Sequence, residues 1–376
     1  MIDLLELRDQ IDDIDSQILQ LFERRMDISK EVAAFKIETG KPVFDKKREQ
    51  EKLKVLREKS SSEFNAHGIQ ELFQQIMAMS RKLQYQMLTE NGYEEKTRFR
   101  LVDHIDTENA RVVYQGIEGA YSHEATIAFF GKNVKAFHVV NWKDAMEMVS
   151  SGQADYAVLP IENSTAGSVY ENYDLLEEYD HYIVGEQLVK CQHVLVGLPE
   201  AELSDIEMVQ SHPQALMQCK PFLSEHESWK TVECGNTAVA AKMVADGKDK
   251  TKAALSSRYA AEAYGLKILE EHPYYNDYNS TRFIVVSEDK IFTSKARKIS
   301  VCFEIPHESG SLYNILSHFI YNNLNMTKIE SRPIYERSWE YRFFVDFEGS
   351  LNDSAVKNAL RGLAAETSSL RVFGNY

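Results

Sequence analysis

Two cationic residues interrupt an otherwise apolar face of the N-terminal segment. Apolar residues recur from Leu4 at intervals of three and four, and the position that would continue this stripe between Leu21 and Ile28 is Arg25. Lys36 follows eleven residues later, at nearly the same helical azimuth as Arg25. A charge on a buried face is unfavourable unless an anion meets it. The pattern therefore indicates either a buried ion pair within the protein or a bound anion.

Several other polar residues have a spacing that directs them inward from helices. They are Asp45, Arg48, Glu49, Ser80 and Gln84. The first three share one face of a predicted second helix, and the last two share one face of a third. Arg8 lies roughly 100° around the first helix from Arg25, so one protomer cannot easily direct both arginines at one site. Each residue alone is typical of surface pairing, and only the set indicates a binding site.

The composition limits the classes of protein and partner. A chain of 376 residues is expected to form two or three domains. The net charge of −15 argues against a nucleic acid or an anionic membrane as partner, and no apolar run approaches the ~20 residues that span a bilayer. The four cysteines form no CxxC pair, so neither a disulfide framework nor a zinc site is predicted. Because the acidic, amphipathic start is unlike a cationic signal peptide, we expect a cytoplasmic protein.

Residues 1–90 are expected to form an all-α domain of three helices. The helices are predicted over about 4–38, 45–58 and 66–88. The first would be about 52 Å long, which is too long to bury its apolar stripe against two shorter helices of the same chain. A partner subunit is therefore expected, as a homodimer or a higher homo-oligomer. The polar segment 91–110 is predicted to be a linker.

Residues 111–288 show short β-rich runs that alternate with helical patterns. Strands are predicted over 111–115, 156–160, 207–211, 253–256 and 282–286, with helices near 122–130, 213–222, 236–246 and 257–264. This alternation predicts an α/β domain with a largely parallel sheet and helices on both faces. The domain is long for one compact body, and the run 182–197 is a candidate for crossover strands between two lobes.

Residues 297–376 follow the order strand, helix, strand, strand, helix, strand. The strands are predicted near 298–305, 327–335, 340–347 and 369–373, and the helices near 311–322 and 353–364. A split βαβ arrangement of this kind predicts an α+β, ferredoxin-like domain. The whole chain is thus expected to be a multidomain protein with all-α, α/β and α+β parts.

The polar set of the helical segment resembles the substrate site of the all-helical chorismate mutases. The matching residues are Arg8, Arg25, Lys36, Asp45, Arg48, Glu49, Ser80 and Gln84. The resemblance implies an intertwined dimer in which Arg8 reaches into the partner's site and, with Arg25, holds the two carboxylates of chorismate. It also implies that Lys36 and Gln84 face the ether oxygen, while Asp45, Glu49 and Ser80 meet the hydroxyl and side-chain groups. A Claisen rearrangement needs only a folded conformer and compensation for charge growing on oxygen.

Six motifs of the middle segment, in order and content, resemble the prephenate dehydratases. They are GIEGAYSHEA (116–125), LPIENSTAG (159–167), SHPQALMQC (211–219), NTAVAA (236–241), AALSSRYAAEAYGL (253–266) and NSTRF (279–283). Ile117 stands where proline is common in that family. The resemblance places Thr281 beside the ring hydroxyl that departs from prephenate, lines the site with Asn163, Ser211 and Gln218, and shapes it with Arg282 and Phe283. Such a site should donate a proton or hydrogen bond to the departing oxygen and leave the departing carboxylate poorly solvated.

Simpler interpretations of two of these residues remain open. Ser211 stands before Pro213 and is equally well interpreted as a plain helix N-cap. Asn163 lies in a Pro-Ile-Glu-Asn-Ser segment, where turn chemistry alone would account for it.

The last segment resembles the ACT domains that are attached to such dehydratases and bind phenylalanine. The resemblance rests on GSLYNIL (310–316) and KIESRPI (328–334), with Ser311 where alanine is usual. The implied effector residues are Gly310, Ser311, Leu312, Glu330, Ser331, Arg332 and Pro333. In that family the effector lies between two such domains, which again requires at least a dimer. Arg332 also has the simpler interpretation of a surface ion-pair residue.

The favoured hypothesis is a bifunctional enzyme that makes prephenate from chorismate and phenylpyruvate from prephenate, with feedback by phenylalanine. One alternative is a non-catalytic two-lobed binding or sensor protein, which the presence of Thr281 and Asn163 disfavours. The other is a prephenate dehydrogenase, which needs a Gly-x-Gly-x-x-Gly phosphate loop that the sequence lacks. No HExxH motif or Cys/His cluster indicates a metal, so we expect neither a metal nor a cofactor.

Overall fold

The computed structural model describes residues 3–92, 98–274, 278–335, 337 and 339–376. Positions 93–97 of the predicted linker lie outside the described residues. The chain divides into two compact units, here called the first and the second unit. The first comprises Met1–Arg98 with Ala296–Val372, and the second comprises Phe99–Lys295 with Phe373–Tyr376. Within the described residues, no helix is both long and apolar enough to cross a membrane.

Three helices form the N-terminal part of the first unit. They are α1 (Leu4–Thr39), α2 (Lys46–Glu58) and α3 (Glu63–Glu90), which confirms the predicted helices. Asp3 caps α1 by accepting a hydrogen bond from a backbone amide, and Gly40 ends the helix at a left-handed φ of 67°. Helix α3 begins three residues earlier than predicted because Ser62 caps it by accepting a hydrogen bond from the amide of Asn65.

Most of the apolar stripe on α1 is exposed in a single protomer. The exposed residues are Leu4, Leu7, Ile11, Ile14, Ile18, Leu21, Ile28, Val32 and Phe35, each at least 39% exposed. The inward side of the helix is marked instead by Ser29 and Ala33, which are buried. One chain therefore leaves much of the stripe uncovered, as predicted from the length of the helix.

The second unit contains the following elements in chain order: β1 (Arg100–Val102), β2 (Arg111–Gln115), α4 (Tyr121–Phe130), β3 (Lys135–Val139), α5 (Trp142–Ser150), β4 (Tyr156–Asn163), β5 (Gly167–Ser168), α6 (Tyr170–Glu178), β6 (Tyr182–Lys190), β7 (His193–Gly197), β8 (Met208–Ser211), α7 (Pro213–Gln218), α8 (Lys220–Ser224), β9 (Lys230–Glu233), α9 (Thr237–Gly247), β10 (Lys252–Ser257), α10 (Arg258–Tyr264), β11 (Lys267–Glu270), β12 (Ser280–Ser287) and β13 (Ile291–Thr293). A 3₁₀ turn covers Leu203–Asp205, and β1 pairs with β13.

Two sheets define two lobes in this unit. The first lobe has the strand order β3-β2-β4-β12-β6, with β5 beside β4, and the second has β11-β7-β10-β8-β9. The chain crosses between the lobes from β6 to β7 and returns from β11 to β12. The prediction that the run 182–197 holds crossover strands is therefore confirmed.

The prediction of a largely parallel sheet is wrong. In the first lobe β2 is parallel to β3 and β4, but β12 is antiparallel to β4 and β6. In the second lobe β8 is parallel to β9 and β10, but β7 is antiparallel to β10 and β11. The antiparallel strands β6, β7, β11 and β12 are the ones that flank the crossovers, and alternation with helices did not reveal them.

Other local predictions also need correction. The single helix predicted over 213–222 is two helices, α7 and α8, because Pro221 lacks the amide hydrogen that would continue the first helix. The predicted linker contains the strand β1. Strand β3 and helices α5 and α6 have no counterpart in the prediction. Strand β3 lies at a sheet edge with most side chains exposed, so it lacks the apolar run on which strand prediction depends.

The C-terminal part of the first unit, residues 296–372, is here called the C-terminal domain. Its elements are β14 (Lys298–Glu304), α11 (Ser311–Tyr321), β15 (Met326–Pro333), β16 (Tyr341–Glu348), α12 (Ser354–Glu366) and β17 (Ser369–Asn375), of which β17 runs on into the second unit. The strand order is β15-β16-β14-β17. Phe303, Phe319, Phe347 and Leu363 are fully buried between sheet and helices. The predicted order of strands and helices is confirmed.

Candidate active sites

A cavity of about 500 Å³ lies among α1, α2 and α3. The predicted site residues in its wall are Arg25, Lys36, Asp45, Arg48, Glu49, Ser80 and Gln84. Apolar side chains such as Ile28, Val32 and Met77 complete the wall. The three helices thus bring together the polar set that was picked out by spacing, with the exception of Arg8.

Arg25 projects from α1 into this cavity, where it contacts neutral groups. Its Nη1 donates to the hydroxyl of Ser80 at 2.6 Å and to the backbone carbonyl of Ile76 at 3.4 Å. Burial lowers the pKa of its guanidinium, and Glu49 only partly offsets this. Within the part of the chain that the structure describes, Arg25 forms no ion pair. Of the two interpretations of the stripe, the contacts of Arg25 favour a bound anion over an internal salt bridge.

Lys36 has a similar environment at the other end of the cavity. Its Nζ donates to the backbone carbonyl of Val43 at 2.7 Å. Burial lowers the pKa of the ammonium group, against the opposing effect of the carboxylates of Asp45 and Glu49. Asp45 itself caps α2 by accepting a hydrogen bond from the amide of Arg48 at 3.1 Å. The local fold therefore accounts for the position of Asp45, while Lys36 keeps further donors for a ligand.

Ser80, Gln84 and Glu49 complete the polar wall. The Ser80 hydroxyl bridges Arg25 and the hydroxyl of Ser29, which lies 3.0 Å away. Gln84 donates to the backbone carbonyl of Ser80 at 3.1 Å, and its buried Oε1 has no hydrogen-bond partner among the described residues. Glu49 accepts a hydrogen bond from Arg81, a residue that sequence reasoning missed, at 2.5 Å.

Arg8 does not join this cavity in a single protomer. It is exposed on α1, and the separation of seventeen positions from Arg25 corresponds to about 25 Å along the helix. The structure therefore agrees with the predicted difference in azimuth: one chain supplies only one of the two arginines to one cavity.

A neutral hydrogen-bond network lies where the two lobes of the second unit meet. Asn163, at the end of β4, donates through its side-chain amide to the hydroxyl of Thr281 and to the side-chain Oδ1 of Asn279, both at 2.9 Å. From the second lobe, Gln218 accepts a hydrogen bond from Asn279 at 2.9 Å and donates to the hydroxyl of Thr165 at 3.0 Å. The network thus contains three of the predicted residues, Asn163, Gln218 and Thr281.

Turn chemistry explains part of the role of Asn163 but not all of it. Its Oδ1 accepts hydrogen bonds from the backbone amides of Thr165 and Ala166, at 3.0 and 2.9 Å. The simpler interpretation as a turn residue is therefore correct for the oxygen. The amide nitrogen, on the other hand, is directed at Thr281 and Asn279 across the sheet.

His193 extends the network, and its neighbours determine its tautomer. Nε2 lies 2.9 Å from Gln218 Oε1, which can only accept, so Nε2 carries the proton. Nδ1 lies 3.0 Å from the hydroxyl of Tyr121 and therefore accepts from it. Burial lowers the pKa of His193 and raises that of Tyr121, so both are neutral near pH 7.

Thr281 also contacts a buried thiol. Cys191 Sγ lies 3.1 Å from the Thr281 hydroxyl, and burial raises the pKa of this thiol to about 11. The thiol is therefore protonated at neutral pH. Because Asn163 donates to one lone pair of the Thr281 oxygen and a protonated thiol can donate to the other, the Thr281 proton can point towards a substrate.

Three predicted residues of the dehydratase set lie apart from this network. Ser211 is fully buried and donates to the backbone carbonyl of Leu255 at 2.6 Å. It is not the N-cap of α7 either, because that position is taken by His212. Arg282 points to the opposite side of β12 and pairs with Glu162 and Glu186 at 3.3 and 3.5 Å.

Phe283 belongs to the apolar core of the first lobe, where it is 3% exposed. A register shift between Arg282 and Phe283 relative to β4 accompanies this change of environment. Ser211 and Phe283 are thus placed as structural residues, and Arg282 as an ion-pair residue on the far side of the strand.

Some members of the network were missed although the sequence contained a signal. Thr165, Asn279 and Tyr121 all lie inside the quoted motifs, at positions that were not singled out. Cys191 and His193 lie in the crossover run and carry no local signal. Cys191 comes close to Thr281 because it follows β6, which pairs with β12. His193 begins β7 in the other sheet and joins the network through Gln218.

The loop Gly116–Gly119 links the two lobes at the same end of the unit. Gly119 has a φ of 83°, and a Cβ atom there would lie 3.1 Å from the Cα of Ala260. The hydroxyl of Tyr264 donates to the backbone carbonyl of Glu118 at 2.6 Å. Glycine is therefore required at position 119 both for the backbone conformation and for the close contact with α10.

In the C-terminal domain the two predicted halves of the effector site are separated. Gly310, with a φ of 80°, precedes α11, and it lines a cavity of about 410 Å³ together with Ser311 and Leu312. Glu330–Pro333 lie on the edge strand β15 and are not among the residues that line this cavity. Over the described residues, no group of three or more His, Cys, Asp and Glu side chains is arranged to hold a metal ion.

Family models match two segments of the chain: chorismate mutase type II over residues 7–85 and prephenate dehydratase over residues 112–291. The bifunctional chorismate mutase/prephenate dehydratase of Escherichia coli (strain K12) is 32% identical over 379 residues, which cover 99% of this chain and 96% of that protein. The protein of the same name from Aquifex aeolicus (strain VF5) is 30% identical and covers 100% of this chain and 98% of its own length. A solved structure of prephenate dehydratase from Arthrobacter aurescens in complex with L-Phe is 32% identical, with a TM-score of 0.65, over 71% of this chain and 89% of that one.

A helical domain with a cationic cavity and a two-lobed α/β unit with a neutral polar network define an enzyme with two separate sites for small molecules. The full-length relatives cover both of these regions. The chain belongs to the family of bifunctional chorismate mutase/prephenate dehydratases, and it is both a chorismate mutase and a prephenate dehydratase.

Proposed function

We propose that chorismate rearranges in the cavity among α1, α2 and α3, and that Arg25 and Lys36 are the principal cationic groups of this site. The observation that carries the proposal is that both cations line the cavity and bond to neutral protein groups. Arg25 binds a carboxylate, while Lys36 and Gln84 face the ether oxygen on which negative charge grows as the bond breaks. Glu49 and Asp45 lie opposite and meet the ring hydroxyl, with Arg48 and Ser80 completing the contacts.

The experiment that tests both activities together is incubation of the purified chain with chorismate and no added cofactor. Prephenate should appear first and phenylpyruvate afterwards. Absence of prephenate would contradict the mutase site, and accumulation of prephenate without phenylpyruvate would contradict the dehydratase site.

Arg8 acts in the cavity of a second copy of the chain. This proposal is supported by the exposed apolar stripe of α1, by the distance of about 25 Å between Arg8 and Arg25 along the helix, and by the exposure of Arg8. Two copies that pack along α1 bury their stripes and exchange their Arg8 side chains, so each cavity gains a second arginine.

Complementation tests the dimer directly. Arg8→Ala and Arg25→Ala chains should each be inactive as mutases. Mixing them under conditions that exchange subunits should restore about a quarter of the activity, because half of the dimers are mixed and one of their two sites is intact. If the mixture stays inactive although subunit exchange is measured, Arg8 does not act across the interface.

In the dehydratase reaction, Thr281 donates a hydrogen bond to the departing ring hydroxyl. The C–O bond breaks, and the oxygen leaves as water after taking up one proton, which comes from solvent through the hydroxyl of Thr281. The C–C bond to the carboxylate breaks at the same time, CO₂ leaves, and its electron pair completes the aromatic ring. Asn163 holds the Thr281 oxygen, and Gln218 ties this arrangement to the second lobe. The decarboxylation supplies the electron pair for the ring, so this reaction needs no base to remove a proton from the substrate.

The C-terminal domain is an ACT domain that binds L-phenylalanine and inhibits the dehydratase. The strand and helix order, the cavity at the start of α11 and the L-Phe complex of the Arthrobacter aurescens relative support this proposal. Glu330, Ser331, Arg332 and Pro333 contribute from a second copy, since they lie on the edge strand and outside the cavity of their own chain.

Titration with L-phenylalanine tests the effector site. Dehydratase activity should fall across the millimolar range, and Gly310→Val, which forces a β-branched residue into a left-handed conformation, should weaken the response. A flat response of the unsubstituted protein would leave the domain without its proposed ligand.

The enzyme is expected in the cytoplasm, and cell fractionation that finds it elsewhere would overturn this.

A further inference from the structure

Arg81 stands between the mutase cavity and the C-terminal domain. It lies on α3, between Ser80 and Gln84 of the cavity wall, and only 6% of its surface is exposed. Its Nη1 donates to Glu49 at 2.5 Å, while its Nε and Nη2 donate to the two carboxylate oxygens of Glu366 at 2.7 and 3.1 Å. Both edges of the guanidinium are therefore occupied, one by each carboxylate.

The geometry of the guanidinium makes these two contacts dependent on each other. The group is planar and its donors keep a fixed arrangement. The two-point contact with Glu366 sets the plane and direction of the group, and this in turn fixes where Nη1 meets Glu49. The ring of Phe44 packs 4.9 Å from the guanidinium carbon and restricts it further.

The charges of this cluster are maintained despite their burial. Burial alone would raise the pKa of Glu366, but His318 and Arg81 lower it to about 2. Burial would lower the pKa of Arg81, and Glu366 followed by Glu49 raises it instead. Removal of Arg81 would leave the buried carboxylate of Glu366 without its arginine partner, which is strongly unfavourable.

We propose that Arg81 is a positioning residue for the mutase reaction, which holds the carboxylate of Glu49 in the cavity, and that Glu366 of the C-terminal domain holds Arg81 in turn. The inference rests on the role proposed above for Glu49. Its consequence is that the mutase site of this chain is completed by Glu366, which follows Arg81 by 285 positions and lies outside the three helices that line the cavity.

The test uses the full-length protein and a matched set of variants. Glu366→Gln keeps an oxygen that accepts a hydrogen bond but removes the charge, and Arg81→Met removes the link to Glu49. Arg361→Gln is the control, because Arg361 also joins α12 to α3, at 3.0 Å from the hydroxyl of Thr89, but has no contact with Glu49. Helical circular dichroism reports the folding of each variant.

The expected result is a loss in mutase kcat that is larger than the change in KM. Arg81→Met should lower kcat about 100-fold, since a misplaced catalytic group costs on this order. Glu366→Gln should lower it about tenfold and Arg361→Gln by less than about twofold, with dehydratase activity unchanged in all three. If the circular dichroism of Arg81→Met shows that it does not fold, its place in the comparison is taken by Arg81→Lys, together with Glu366→Gln.

A double-mutant cycle separates positioning from general stabilisation. In a Glu49→Ala background, adding Glu366→Gln should have no further effect on the mutase rate, because the group that it positions is gone. Full additivity of the two substitutions would overturn the inference, and so would wild-type mutase activity of Glu366→Gln alone. If Glu49→Ala itself has normal mutase activity, the role proposed for Glu49 fails first, and the inference fails with it.

Discussion

The two proposed active sites are built from different kinds of groups on different kinds of elements. The mutase cavity is lined by full charges that project from three helices. The network around Thr281 consists of neutral amides, hydroxyls, a thiol and an imidazole that lie at strand ends, in loops and at the ends of short helices. The comparison relates each site to its reaction: a rearrangement is assisted by fixed charge alone, whereas loss of water needs a hydrogen-bond donor that stays neutral.

The largest effect that would sharpen this comparison is expected from Arg25→Ala. Loss of this cation should lower mutase activity about 1000-fold, because a fixed charge in a partly buried cavity is not replaced by water. Dehydratase activity should remain, since Thr281 lies in the other unit. Both rates are measured on one preparation, with the exposed neighbour Arg24→Ala as control. Equal loss of both activities would break the comparison.

The reciprocal effect is expected from Thr281→Ala. The dehydratase rate should fall about 100-fold, which is the typical contribution of a positioned proton or hydrogen-bond donor, and the mutase rate should not change. Thr281→Ser keeps the hydroxyl and should retain most of the activity. An unchanged dehydratase rate in Thr281→Ala would remove Thr281 from its proposed role.

A smaller effect is expected from Gln218→Leu. The substitution leaves Asn279 and His193 without their acceptor and removes the bond to Thr165, so the lobes lose part of their connection. A buried polar group without its partner costs about 1–3 kcal/mol, and a loss of about tenfold in dehydratase rate should follow. The adjacent, exposed Met217→Ala serves as control. If both variants behave alike, the network is not needed for the reaction.

The smallest effect concerns stability in acid. The pKa of Glu366 is lowered from 4.5 to about 2 in the folded chain. Its stabilising contribution is therefore complete above pH 4.5 and is lost as the pH falls towards 2. Between pH 5 and pH 3, urea unfolding followed by helical circular dichroism should show a larger loss of stability for the wild type than for Glu366→Gln. Glu308→Gln removes an exposed ion pair with Lys46 and should follow the wild type.

Most of the polar residues that line the helical cavity could be picked out from the sequence. Periodicity alone identifies a charge such as Arg25 on an apolar face, and one helix holds residues at fixed angles. Arg81 was missed because its partner Glu366 is distant in sequence, and no local pattern relates the two.

The residues of the dehydratase network could be predicted only from their position in motifs that resemble a known family. Resemblance selected Thr281, Asn163 and Gln218, which lie in one network, and also Ser211, Arg282 and Phe283, which lie apart from it. Which side of a strand a residue faces depends on register and bulges, and the shift after Arg282 could not be read from one sequence. The position of Cys191 depends on the pairing of β6 with β12, and that of His193 on the meeting of the two lobes; neither can be read from local sequence.

The two-sided pairing of Arg81 limits how this protein can be divided. A fragment that stops after α3 keeps the cavity residues of its own helices but loses Glu366, so Arg81 keeps Glu49 as its carboxylate partner and loses the two-point contact that orients it. A stand-alone mutase cut from this chain should therefore be slowed as Glu366→Gln is, unless a new acid on the fragment takes the place of Glu366.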